Sequence, residues 1–444
     1  MTRPKLTAPS LRKAAVAIMG VVASVVLLAG CTAGTSGTTT SNSGGKKATV
    51  TLSLLTFETP NLTAAYWDKA IAATNAKVPG VKINKLVAPN ADRNAYAKQL
   101  DSTGQLPDIM VGVNPNGFAE AGKLAEFTLG ELSDWISPTS NNFDGKVYQL
   151  PTNTQTVPMI YYRLADFKKA GIDGTPKTWD ELLADSAKLK AAGFTPFNIG
   201  GGGADTWADL YSLKALVATE VYASDPTWMH KLVASKTTFS GPEFTAAVTK
   251  FKTLIDDKYV DPSLLSNDYA ATQASFLAGT GSMYPMGSWF TVAPSAAQQA
   301  DYGVFPWPTN DGSLVVPTIT GGGLSVSSKA PDVGLAKKWA IAFSQNHANS
   351  DASVKTDGLF IALKDYTPPA DSETPLYKAT IDIYNKALKS GKATNSFGEE
   401  SGTDALLSGF SDKVASAVSD LISGRKDVAA FTKYLDDQWA ALSK

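Results

Sequence analysis

The sequence predicts an α/β fold, and three observations carry that prediction. Apolar alternation marks short strands at residues 49–55, 81–87 and 108–113, and helical spacing marks the stretches between them. No fixed-period repeat or low-complexity segment interrupts the chain after residue 47. Strands that alternate with helices at this spacing favour a sheet of mostly parallel strands, because each crossover needs a helix-length connection.

Taken in order, Thr49-Val50-Thr51-Leu52-Ser53-Leu54-Leu55 alternates as a half-buried strand does. Asn61 to Val78 carries Leu62, Ala65, Tyr66, Lys69 and Ile71 at helical spacing. Val81 to Val87 alternates again, Asp92 to Asp101 reads as helix, and Asp108 to Val113 is the third strand. Thr178-Trp179-Asp180-Glu181 and Ser240-Gly241-Pro242-Glu243 both fit the capping-box pattern. The first opens a helix through Lys190 that stops at Gly193, and the second runs to about Asp257. Two further helices are predicted near Asp332–Asn346 and Asp427–Leu442.

The N-terminus is an export signal in outline. Arg3, Lys5, Arg12 and Lys13 precede an apolar run from Ala14 to Leu28, which ends in Leu28-Ala29-Gly30-Cys31. That ending resembles the lipobox of bacterial lipoproteins, which implies that residues 1–30 are removed and that Cys31 is acylated as the new N-terminus. Cys31 is the only cysteine among 444 residues, so nothing remains for a disulfide or a cysteine metal cluster. Residues 32–47 are almost all Gly, Ser, Thr and Asn and are expected to form a flexible tether, spanning roughly 20–24 Å. No second apolar stretch of spanning length follows, so the expected membrane contact is the lipid alone.

Composition narrows the function. With 40 basic and 41 acidic residues the net charge is −1, and no basic patch is present to bind nucleic acid. Only Arg3, Arg12, Arg93, Arg163 and Arg425 are arginine. Anionic ligands usually recruit Arg, so this balance favours a neutral one. The two histidines, His230 and His347, lie far apart in or beside predicted helices and suit surface or capping roles. With no free Cys and two distant His, a Ser-His-Asp triad and a zinc site are disfavoured, and a nucleotide cradle is disfavoured because Gly200–Gly203 lacks the Lys-Ser/Thr that a phosphate loop needs. Carboxylate pairs such as Glu399-Glu400 leave a two-carboxylate glycosidase open.

Tryptophan is the positive signal. Of nine, Trp207 follows the glycine run and Trp289 and Trp307 sit beside Ser or Pro, where an indole face can be left open to the C–H face of a sugar ring. Trp67, Trp179, Trp339 and Trp439 lie in predicted helices and are expected to pack.

An ordered series of segments resembles the extracellular solute-binding proteins of bacterial ABC importers, in the carbohydrate branch. It begins with Leu106-Pro107-Asp108-Ile109 and Gly145-Lys146-Val147-Tyr148-Gln149-Leu150-Pro151. Ile160-Tyr161-Tyr162, Phe167-Lys168-Lys169-Ala170-Gly171-Ile172 and Pro176-Lys177-Thr178-Trp179-Asp180-Glu181-Leu182 follow. Phe276-Leu277-Ala278-Gly279, Met283-Tyr284-Pro285-Met286-Gly287-Ser288-Trp289 and Gly321-Gly322-Gly323-Leu324-Ser325-Val326 complete it. Arg163 departs from the series, standing where that family usually has Asn after the tyrosine pair.

The resemblance implies a two-lobed, periplasmic-binding-protein-like (Venus-flytrap) fold with a ligand cleft between the lobes. Residues 48–157 and 310–362 are expected in the first lobe, and 158–309 and 363–444 in the second. Ligands of α/β lobes meet loops at the carboxyl ends of strands. Glu58, Asn114, Asn116 and the backbone of Gly321, Gly322 and Gly323 are therefore the candidate polar contacts, and Trp207, Trp289 and Trp307 the candidate platforms. The implied function is capture of a neutral sugar or oligosaccharide for an ABC permease by a lipid-anchored monomer at the outer face of the cell membrane, with no cofactor and no chemistry. A surface glycoside hydrolase and a sugar sensor uncoupled from transport are the alternatives.

Overall fold

The computed structural model describes residues 49–89, 93–140, 142–202, 205–321 and 323–443. The signal segment, Cys31, the tether and Gly322 lie outside them. Among the described residues, no helix is long and apolar enough to cross a membrane.

Strands Val50–Thr56, Val81–Val87, Ile109–Val111 and Leu324–Val326 form one sheet. Val50–Thr56 lies at its centre, parallel to Val81–Val87 on one side and to Ile109–Val111 on the other. Helix Ala64–Lys77 supplies the crossover between the first two strands, with Thr63 capping it by accepting from the Tyr66 N–H. Trp67 and Trp339 are buried beside Leu52, Leu54 and Ile109, so the two helical tryptophans of this lobe are core. The helices predicted near Asp332 and Asp427 run over Val333–Ser344 and Val428–Leu442, each opened by that aspartate as N-cap. Leu324–Val326 is antiparallel to its neighbour Ile109–Val111, because the chain returns here from the second lobe and meets the sheet from the opposite end.

The expectation of mostly parallel strands fails in the second lobe. Met159–Arg163 lies between Met283–Met286 and Tyr302–Phe305 and is antiparallel to both. The alternation that predicted parallel pairing stops near residue 113. More than a hundred residues, largely helical, separate the first of these strands from the other two, so no short βαβ crossover fixes their direction.

Helix Trp179–Ala191 has the predicted capping box: the Thr178 hydroxyl accepts from the Glu181 N–H at 3.2 Å, and the Glu181 carboxylate accepts from the Thr178 N–H at 3.3 Å. The second predicted box is absent. Helix Pro242–Asp256 starts one residue later than that reading requires, which makes Gly241 the cap and puts Glu243 out of the reciprocal position. Asp436 instead takes the Phe239 and Ser240 N–H groups at 2.7 and 3.1 Å. Phe239, Phe244, Phe251, Trp228 and Phe410 fill the core behind these helices.

Between the two cores, Asn153–Thr156, Val316–Gly321, Phe360–Ile361 and Ala393–Asn395 pair into a third sheet. The first three of these strands carry the chain from one core toward the other. Thr318 lies opposite Thr156, Gly321 opposite Asn153, and Phe360 opposite Thr154.

Candidate functional site

An aromatic corner forms where three segments of the second lobe converge. Trp207 follows the glycine run, Tyr211 and Tyr269 are the first residues of helices Tyr211–Val217 and Tyr269–Leu277, and Trp289 sits on the turn Ser288–Val292. The Trp207 ring lies 5.4 Å from Tyr211, 5.2 Å from Tyr269 and 6.3 Å from Trp289, tilted or edge-on in each case. Tyr211 and Tyr269 are buried at 6 and 5% exposure, while both indoles keep part of their surface open. Burial pushes both phenols well above their ordinary range, so they remain neutral hydroxyls.

Asp205 sets this corner. One carboxylate oxygen accepts from the Trp207 indole N–H at 3.1 Å, and the other accepts from the Tyr269 backbone N–H at 2.9 Å. Trp289 is seated by Gly287, because a Cβ there would collide with the indole ring. Asp205, Tyr211 and Tyr269 escaped sequence reasoning. The tyrosines open helices, so their spacing reads as packing, and Asp205 is one acid among 41.

The first lobe contributes groups at the carboxyl ends of its strands. Glu58 is exposed just after Phe57, whose ring lies 4.1 Å from the Arg93 guanidinium. Arg93 Nε donates to the Gly112 carbonyl at 2.6 Å. Asn114 accepts from the Asn116 N–H at 2.9 Å, and the Asn116 amide donates to the Glu400 carbonyl at 3.3 Å. Asn116 thus reaches a polar pocket of about 110 Å³ whose lining includes Thr318, Thr320, Asn395, Glu399 and Glu400. Lys214 pairs with Glu399 there at 2.5 Å. Glu400 accepts from the Tyr222 hydroxyl at 2.6 Å, and burial pushes its carboxyl up to about 7.

The structure corrects one platform. Trp307 is 1% exposed, its ring stacked on Phe197 at 6.1 Å and 15° in the second-lobe core. It has no open face, because flanking prolines set the backbone but do not keep a large apolar ring from a core that can take it. The candidate glycines also divide. Gly321 is paired with Asn153, while Gly323 accepts from the Gly112 N–H at 2.9 Å and packs its Cα against the Leu150 carbonyl too closely for any Cβ.

Arg163 is a brace. Its guanidinium lies 3.1 Å from the buried Asp166 carboxylate and 3.5 Å from the Phe276 carbonyl in the last turn of helix Tyr269–Leu277. His230 and His347 lie at the surface, 3.2 and 3.6 Å from Asp404 and Asp365. Among the described residues, no group of three or more His, Cys, Asp or Glu side chains could hold a metal ion.

A family model for bacterial extracellular solute-binding proteins matches residues 59–349, well over half of the chain. A binding protein of Brucella abortus is 29% identical over 225 residues, which are 46% of this chain and 50% of the relative. The match therefore spans about half the length of that relative. The sn-glycerol-3-phosphate-binding periplasmic protein of Yersinia pestis is 53% identical over a segment of 51 residues, 11% of each chain. The solved structure of a chitin oligosaccharide binding protein superposes with a TM-score of 0.77 at 25% identity, over 89% of this chain and 99% of its own. The fold is accordingly the two-lobed one with a ligand cleft between its lobes.

Proposed function

The chain belongs to the bacterial extracellular solute-binding protein family, and on that premise we propose that it captures a neutral sugar or oligosaccharide and delivers it to an ABC transporter permease. The aromatic corner carries this reading. Two partly open indoles backed by buried tyrosines offer apolar faces to pyranose C–H groups, and Asp205 holds the corner rigid. A chitin oligosaccharide binding protein shares the fold over nearly its whole length. Arg93 is the one arginine near the corner, and its guanidinium is engaged by the Gly112 carbonyl and the Phe57 ring.

In this reading the first lobe comprises residues 48–157 and 310–362 and the second 158–309 and 363–444. Closure of the two around a sugar builds a composite surface for the permease, and ligand stabilises the closed form by its differential affinity. Acylation at Cys31 keeps the mature protein on the outer face of the membrane. Cys31→Ser is then expected to leave a folded protein that is either released or retained with its signal uncut, and a cleaved, membrane-bound variant would overturn the anchor.

The deciding experiment is a thermal-shift screen of the purified protein with chitobiose, maltotriose, raffinose and glycerol 3-phosphate. A sugar at about 100 times its Kd adds about 2.7 kcal/mol to folded stability. At least one neutral sugar should raise the melting temperature and be recovered uncleaved after long incubation. A shift with glycerol 3-phosphate alone would replace the neutral ligand by an anionic one, and breakdown of any oligosaccharide would restore the hydrolase reading.

A further inference from the structure

Trp289 is held from a direction that the corner itself does not explain. Asn61 lies on the loop after the first strand of the first-lobe sheet, where Thr59 Oγ1 fixes it by accepting from the Asn61 and Leu62 N–H groups at 3.2 and 3.0 Å. Its side-chain amide donates to the Trp289 carbonyl at 3.2 Å and to Asp357 Oδ1 at 3.2 Å. Asp357 is the last residue of helix His347–Asp357. The next residue, Gly358, turns at φ +57° with its Cα pressed against Thr291 Oγ1 and the Ser288 carbonyl, so no side chain fits there. The helix end therefore sits directly on the turn that carries Trp289, and Asn61 spans both.

We propose that Asn61 is a positioning residue: its amide ties the Trp289 turn to Asp357, so that the first-lobe loop and the protonation of one carboxyl together set the angle of the indole platform. The platform role rests on the carbohydrate reading, but the tie itself does not. Burial pushes Asp357 up to about 7, against the opposing effects of the Asn61 hydrogen bond and the Arg93 charge. A carboxylate at a helix C-terminus is disfavoured by the helix dipole as well. The other titratable groups near it are Tyr66 and Tyr269, and burial keeps both phenols neutral at the pH values concerned. When Asp357 ionises, the amide is drawn toward the carboxylate, and its hold on the Trp289 carbonyl weakens.

The test needs no ligand. Tryptophan fluorescence of the purified protein is followed from about pH 5 to about pH 9, a range that spans the Asp357 transition, with Trp289→Phe subtracted to isolate the Trp289 signal. Wild type should show a transition centred near 7. Asp357→Asn should abolish it, and Asn61→Ala should move its midpoint upward, since a bond favouring the carboxylate is lost. An unmoved midpoint in Asn61→Ala, or a transition that survives in Asp357→Asn, overturns the tie. A second arm reads binding of chitobiose, maltotriose and raffinose by calorimetry. Any of them bound by wild type should bind Asn61→Ala about tenfold more weakly, the scale of one lost hydrogen bond, with the apo melting temperature little changed. A melting loss with unchanged affinity would make Asn61 merely structural. If wild type binds none of these sugars the carbohydrate reading falls, while the fluorescence arm still decides the tie.

Discussion

Trp289 and Trp307 have similar sequence surroundings, each in a short apolar run broken by Gly, Ser or Pro, yet they occupy opposite environments. Trp307 lies flat on Phe197 and is 1% exposed, so neither face of its ring is left open. Trp289 is met by Trp207 and Tyr211 at 6.3 and 6.1 Å and steep angles, which supports the indole while leaving surface over. Loop context thus tells where an indole can be free. Whether it is free depends on what the chain brings opposite it from far away.

The comparison is sharpest in paired truncations. Trp307→Ala should cost roughly 3–5 kcal/mol of stability, as a large cavity in a packed core does. Its apo melting temperature should drop steeply, and the sugar affinity of the molecules that remain folded should be unchanged. Trp289→Ala should do the reverse. By analogy with stacking of bases on aromatic side chains, loss of the platform is expected to remove about 1–3 kcal/mol of binding, or roughly 5- to 150-fold in Kd. Its apo melting temperature should fall only moderately. Equal melting losses in the two variants would erase the distinction, and weakened binding in a stable Trp307→Ala would return Trp307 to the site.

The parts of this molecule that were legible in its sequence share a physical cause. Val81–Val87 and the helices capped by Thr178, Asp332 and Asp427 are local structures, specified by alternation or by a side chain within three residues of the N–H it accepts from. The partial exposure of Trp207 and Trp289 agrees with their places after the glycine run and beside Ser288. The antiparallel strands of the second lobe were not, since their direction is set by pairing across more than a hundred residues. Nor was Asp205, whose role exists only because Trp207 and Tyr269 are brought together. Asn61 is the same case, three residues past Glu58, the polar residue that follows the first strand in the sequence pattern.

A smaller effect separates the open surface of the corner from its floor. Asp209, two residues beyond Trp207, is 5% exposed, its carboxyl rests against Gly201, and burial pushes it up to about 7. An unfolded aspartate titrates near 3.9. Between those values the folded chain holds a proton that the unfolded chain has released, so stability falls as pH rises through the window and levels off above about 7. Asp209→Asn removes that dependence. Relative to wild type, the variant should gain roughly 2–3 kcal/mol between pH 5 and pH 8, the part of the window above pH 5. The cost of an amide without an evident partner is the same at both pH values and drops out of the difference. Melting curves at the two pH values measure it, and a difference that does not change with pH would remove Asp209 as the source.

The smallest effect expected is at Arg163, which acts on the corner only through the far end of the helix that Tyr269 begins. Its guanidinium neutralises Asp166 and reaches the carbonyl of Phe276, while the Ser282 hydroxyl also donates to Asp166, at 3.1 Å. Arg163→Asn, the residue usual in the family at this place, keeps a donor but loses the charge and the reach. Because Ser282 still serves the carboxylate and Arg163 is partly exposed, the cost should be only about 1.5 kcal/mol, the low end of the range for a hydrogen bond to a charged group. The loss should appear in the melting temperature and diminish at high salt, where the ion pair contributes less. Sugar affinity should change less than twofold, since helix Tyr269–Leu277 is also held at its start by Asp268 and at its first N–H by Asp205. A tenfold loss of affinity would mean that the two ends of this helix are coupled, and the open corner could then no longer be treated as independent of the core behind it.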